Sequence, residues 1–194
     1  MQSNFLFNKI IIILTFFFLL LIGLNSFDDF GIGIDEDNSR INGYVTLNYI
    51  YDLLGLEKSN ILANLELKDI NQYDEQGNGI IFDLPLALIE NYFNIIDFRD
   101  QFLLRHFVSF LLFFISLIHF YKIIILKYDS KFLAIFGVLF LFFSPRIFAH
   151  SFVNPKDIGF MSIGIINLYY GIKYLQKPDI KNSLIFTIVL GILV

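Results

Sequence analysis

Two adjacent carboxylates, Asp35 and Glu36, stand in the stretch IDEDNSR (residues 34–40), just beyond a long apolar segment. An ionised carboxylate can take the proton of an incoming hydroxyl as a general base, and the N-terminus of a following helix favours that ionised form. A second polar group lies in residues 144–157, SPRIFAHSFVNPKD, where Arg146, His150, Asn154, Lys156 and Asp157 crowd between two apolar segments. Cations there suit a phosphate, through charge-assisted hydrogen bonds. Arg105 and His106, which open another apolar run, offer a further cation. Plainer explanations stand beside each. Asp28 and Asp29 form another acid pair, and fifteen Asp or Glu fall within residues 26–101, so an acid pair also reads as a helix cap in a solvated loop. Arg105, Arg146 or Lys156 taken singly can be an interface anchor, although that does not explain His, Asn and Asp packed beside them.

The elements that must position these groups are written in the composition. Apolar residues make up 56% of 194, with 25 Phe gathered beside Ile and Leu in long runs. Such a chain has lipid as part of its solvent. The net charge of −4 conceals an asymmetry, because only four basic residues (Arg40, Lys58, Lys68, Arg99) accompany the fifteen acids of residues 26–101. Nothing resembles the basic stripe of a nucleic-acid-binding protein. There is no cysteine, so thiolate metal sites and disulfides are excluded, and three scattered His make a His-type zinc site a poor fit.

Residues 10–24 are apolar apart from Thr15 and Gly23 and make the first span within residues 1–25. A cleavable signal peptide is the competitor; the absence of a small-x-small site before Asp28 favours an uncleaved span. Residues 26–101 form a polar excursion too long for a mere connection. One helix is expected from Asn38 or Ser39, through Tyr44, Leu47 and Tyr51, to a stop at Gly55, and another from Asp83 with Pro85 in its first turn. Both suit the membrane surface better than a crossing. Residues 73–79 read as a turn or mobile loop, and Gly31-Ile-Gly33 lacks the rest of a phosphate-loop pattern.

Residues 102–194 carry the remaining spans. Residues 102–126 form the second, with His119 a packing residue near its inner end. Residues 132–143 give only twelve apolar positions, about 18 Å of helix against a core of roughly 30 Å. Either the helix continues through Pro145 and Arg146, or irregular backbone completes the crossing inside a polar cavity. Residues 158–175 form a fourth span, and residues 183–194 begin a fifth that stops in mid-run. The chain therefore reads as an amino-terminal fragment. The many Phe read as lipid-facing filler. Lys122, Lys127 and Lys131 in one short turn, with Lys173, Lys177 and Lys181 in another, place those turns and the amino terminus in the cytoplasm. The acidic excursion and the outer loop 144–157 then share the opposite face.

On these residues the chain resembles the GT-C superfamily of polyprenyl-phosphate-sugar glycosyltransferases, in the branch of protein O-mannosyltransferases and lipid A aminoarabinose transferases. The resemblance rests on Asp35-Glu36 soon after the first span, with Arg40 following, and on the long first outer loop. Uncharacterised bacterial members look closer still through residues 82–90 (FDLPLALIE), 97–106 (DFRD…LLRH) and 144–157. It implies an all-α, polytopic integral membrane protein of GT-C type, in a bacterial inner membrane, with a large first outer loop bearing surface helices and a site on the periplasmic face. It implies inverting transfer of a sugar from a polyprenyl-phosphate donor to a hydroxyl acceptor on lipid, glycan or protein, with Asp35 as base and Glu36 orienting the acceptor or the base. Arg40, Arg105, His106, Arg146, His150, Asn154, Lys156 and Asp157 are then the donor-phosphate and substrate candidates. Asp157 occupies the loop where some superfamily relatives carry a metal-binding acidic motif; the Asp-Glu branch is generally regarded as not needing a metal. Its members carry many more spans, so the resemblance also implies that this fragment is inactive alone. Two other classes remain open. A transporter or flippase would use intramembrane charges as a substrate path, though it would place them near the midplane and often shows repeated halves. A non-catalytic assembly subunit would tolerate replacement of Asp35, Arg146 and Lys156.

Overall fold

The computed structural model describes residues 2–74 and 79–193, with side chains from residue 9 onward. Every regular element among the described residues is helical. α1 (Gln2–Ser26) is apolar from Ile10 to Leu24 apart from Thr15 and Gly23. α2 (Glu36–Leu54), α3 (Asn60–Asn64), a 3₁₀ turn (Ile70–Gln72) and α4 (Asp83–Tyr92) build the polar excursion. α5 (Phe98–Tyr128), α6 (Lys131–Phe142), α7 (Pro145–Val153), α8 (Pro155–Gln176) and α9 (Ile180–Leu193) complete the chain. The expected loop at residues 73–79 is only partly covered, since Glu75, Gln76, Gly77 and Asn78 lie outside the described residues.

Among the described residues two helices are long and apolar enough to cross a membrane, α1 from Lys9 and α5, or three if α6 and α7 count as one broken span. Five spans were expected. α8 has the length, but Asn167, Tyr169, Tyr170 and Lys173 dilute its apolar face below that of a clear span. α9, at 14 residues, covers only about 21 Å. The third segment takes a course between the two alternatives in the sequence. Helix α6 stops at Phe142, and α7 restarts at Pro145 with a bend of 64°. Proline explains the restart, because its missing N–H costs nothing in a first turn.

α5 is the axis of the molecule. Its 31 residues measure about 46 Å, well beyond a hydrocarbon core of roughly 30 Å. The excess lies at its N-terminal end, which carries the buried polar residues Gln101, Arg105, His106 and Ser109. The stretch from Phe110 to Tyr128, about 28 Å long, matches the core thickness. Asp97 starts the helix by accepting from the amides of Arg99 and Asp100, and Asp129 ends it in the left-handed conformation.

One core joins α1, α5, α6, α7 and α8 through Leu19, Phe110, Phe113, Leu117, Val138, Phe142, Phe152 and Ile158. Part of the phenylalanine is therefore packing rather than lipid-facing filler. Phe152 stacks between Phe110 (5.2 Å) and Phe30 (4.6 Å), tying the loop after α1 to α7 and α5. Gly23 lets α1 approach the Phe110 ring, where a Cβ would overlap it. A second core of Tyr44, Leu47, Ile61, Leu62 and Ala87 holds α2, α3 and α4 together. There Gly43 admits the Asp83 carbonyl, which a Cβ would meet at 2.6 Å.

Candidate functional site

Both polar clusters arrive at one end of this bundle, where α1 ends and α5 begins. Helix α2 starts at Glu36, with Asp35 at its N-cap, two or three residues before the expected start at Asn38 or Ser39. A clamp around Glu36 fixes this earlier start. Its carboxylate accepts from the Gly33 amide at 2.9 Å and meets His106 Nε2 at 3.0 and 3.1 Å from its two oxygens. The other ring nitrogen of His106 lies 3.2 Å from the Phe27 carbonyl oxygen and must donate to it. The ring of His106 thus bridges the Phe27 carbonyl and the Glu36 carboxylate. Both side chains are buried, so the clamp is an internal strut from α5 to the loop rather than a solvent-facing acid or cation.

Asp35 has the opposite surroundings. It is exposed, and its side chain makes no capping bond and has no hydrogen-bond partner among the described residues. Its carboxylate sits at the N-terminus of a 19-residue helix, where the orphan amides favour negative charge.

Asp35, Glu36 and Ser39 line a cleft of about 170 Å³ together with His150, Asn154 and Lys156. The contact that closes it is Gly33 against Val153, where a Cβ on Gly33 would stand 2.5 Å from the Val153 carbonyl oxygen. Asn154 organises the far wall. Its Oδ1 accepts from the Asp157 amide at 3.0 Å, capping α8, and its Nδ2 donates to Asp157 Oδ2 and His150 Nδ1, both at 3.0 Å. Accepting at Nδ1 leaves a neutral His150 with its proton on Nε2. Lys156 is exposed, and its ammonium has no hydrogen-bond partner among the described residues.

The remaining candidates lie elsewhere. Arg146 is exposed on the first turn of α7 and is not among the cleft-lining residues. Arg105, expected at a phosphate, has protein partners instead. It is fully buried, with Nε 2.9 Å from Glu90 and Nη1 3.3 Å from Asp83. Tyr44 donates to the other Glu90 oxygen at 2.7 Å. Burial and that carboxylate push the Tyr44 phenol well above its ordinary value. Arg40 is also nine-tenths buried, bonded to Asp37 (3.1 Å) and to Gln101 Oε1 (3.0 Å) on the other side of α2. His119 donates to the Ile115 carbonyl and lies edge-on to Tyr169, in keeping with a packing role. No group of three or more His, Asp or Glu stands close enough to hold a metal among the described residues.

The sequence reading missed Asp83, Glu90, Tyr44 and Gln101 as partners of the two arginines. A signal existed for the acids, since Asp83 and Glu90 are two helical turns apart on the face that also buries Leu86 and Ala87. The chain matches no known family model, no curated protein and no solved structure.

Proposed function

We propose that the protein is a membrane glycosyltransferase of GT-C type, which moves a sugar from a polyprenyl-phosphate donor to a hydroxyl acceptor with inversion. The observation that carries this reading is the shared cleft, where an unbonded carboxylate, Asp35, lines the same space as the unpaired ammonium of Lys156. In the step, Asp35 takes the acceptor proton while the acceptor oxygen bonds to the anomeric carbon. The bond from that carbon to the phosphate oxygen breaks, and the lipid phosphate leaves with the electron pair. Lys156 and the Nε2–H of His150 are the groups available to the charge that grows on the leaving oxygen. Glu36 acts through Gly33 and His106, holding the loop that carries Asp35, and is a positioning residue. In this reading the spans form a polytopic protein of a bacterial inner membrane, with the cleft on the periplasmic face.

The test uses membranes carrying the complete reading frame and radiolabelled polyprenyl-phosphate sugars. Asp35→Asn abolishes transfer of label while leaving the melting temperature within about 2 °C, since an exposed, unbonded side chain contributes within about 0.5 kcal/mol. Transfer that survives the substitution removes Asp35 from the mechanism. The 64° break between α6 and α7 favours one competing reading, a transporter with a broken helix. Movement of intact lipid-linked sugar across the bilayer, with no label reaching an acceptor, would select it.

A further inference from the structure

On the other side of α2 a second cleft, of about 200 Å³, is lined by Arg40, Asn60, Ile61, Asn64, Leu65, Ile96, Phe98 and Gln101. It shares no lining residue with the Asp35 cleft. Its polar groups differ in how far they are already used. Gln101 is spent, accepting from Arg40 and donating to the Ile95 carbonyl at 2.7 Å. Arg40 is held rigidly by that bond, by Asp37, and by the rings of Phe98, Tyr44 and Phe102 at 5.1, 5.6 and 5.8 Å. Its Nη2 alone has no partner among the described residues, although the side chain is only 8% exposed. Asn60 and Asn64 stand one turn apart on α3, and neither carboxamide has a hydrogen bond among the described residues. Helix α3 itself is fixed, because Ser59 donates to Asn91 Oδ1 and caps Leu62, and Asn91 donates to Tyr51 at 2.9 Å.

These groups select a ligand class. Asp37 neutralises Arg40, so the cleft offers no net positive charge to an anion. Two free carboxamides each present donors and an acceptor, as vicinal hydroxyls do, and a fixed Nη2 adds a donor. Phe98, Ile96 and Leu65 supply apolar surface beside them. The volume is below the roughly 300–1,000 Å³ of pockets that enclose drug-sized ligands, which leaves space for one ring. We propose that this cleft binds a single neutral sugar residue, through Asn60, Asn64 and Arg40 Nη2, independently of whether Asp35 acts as a base.

Saturation-transfer NMR on the protein in detergent micelles tests it, with methyl glucopyranoside and methyl mannopyranoside as neutral probes and glucuronate as the anionic one. Transfer to the ring protons of at least one neutral glycoside is expected. Binding weakens roughly tenfold in Asn60→Ala and again in Asn64→Ala, the effect of one lost hydrogen bond each. Both substitutions are on exposed residues, so unchanged melting temperatures confirm that the fold is intact. Loss of binding in Asn60→Ala and Asn64→Ala, neither of which lines the Asp35 cleft, separates this cleft from the other. The proposal is overturned if neither neutral glycoside receives transfer, if both Asn variants bind as wild type does, or if glucuronate binds better than the neutral probes.

Discussion

Replacing Arg105 by Met separates two roles for this residue, internal counter-ion or phosphate ligand. Its guanidinium is fully buried between Asp83 and Glu90, at 3.3 and 2.9 Å. Met keeps most of the side chain's bulk and removes the charge, leaving a carboxylate of zero exposure at Glu90 without its cation. Stranding one partner of a buried ion pair costs about 3–5 kcal/mol. For a chain of this size each kcal/mol moves the melting temperature by about 2–4 °C, so the expected fall is about 6–20 °C. Thermal unfolding in micelles, followed by circular dichroism at the helix bands, reads it directly. A companion variant carries Arg105→Met with Glu90→Gln. It removes the stranded charge and recovers part of the loss, while Tyr44 can still donate to the amide oxygen. A fall under about 2 °C for Arg105→Met, or no recovery in the double variant, refutes the reasoning and returns Arg105 to the list of available cations.

Three other outcomes follow from the same geometry. His106→Ala strands Glu36 and the Phe27 carbonyl, so the denaturant midpoint drops by an amount corresponding to about 3 kcal/mol, and label transfer falls although Asp35 is intact. Gly33→Ala forces a methyl group to within 2.5 Å of the Val153 carbonyl oxygen. The loop must move, at a cost of about 1–3 kcal/mol, and transfer falls more than stability does. Tyr44 gives the pH dependence. Its folded pKa is raised above an unfolded value of 10.0, so its contribution is complete below that pH and declines as pH rises further. Unfolding free energy measured from pH 9 upward therefore declines less steeply in Tyr44→Phe than in wild type.

Much of the local structure was legible in the sequence. Asp83 with Pro85 marked the start of α4, and Gly55, observed at φ 64°, marked the end of α2. At Pro145 the sequence left a continued helix and irregular backbone both open, and no local pattern encodes the observed restart with its 64° change of direction, which depends on packing Phe142, Phe148 and Phe152 against α5 and Phe30. The start of α2 was misplaced for a related reason. Asp35, Asn38 and Ser39 are comparable caps by type, and the helix begins at Glu36 because of a partner 70 residues away, His106. Propensity is a weak prior where a buried pair decides. The same limit applies to Arg105. In the sequence it is a cation at the edge of an apolar run, and only the fold brings Asp83 and Glu90 to it. By contrast, the pairing of Asp35 with residues 150–156 was legible, because the alternation of apolar runs puts both clusters at one end. At α8 tyrosines, an asparagine and a lysine make the helix less apolar than α5, so composition alone does not mark it as a span of the same kind.

The contact between Gly33 and Val153 also has a consequence for how the protein is made. The two residues are separated by 120 positions in the chain. At about 5–20 residues per second of synthesis, the ribosome supplies Val153 roughly 6–24 s after Gly33. During that interval α1 and the acidic loop exist without the wall that closes the cleft. Asp35 can be delivered early, but its cleft is complete only when α7 arrives, so an interrupted or stalled chain carries the carboxylate without the rest of its site.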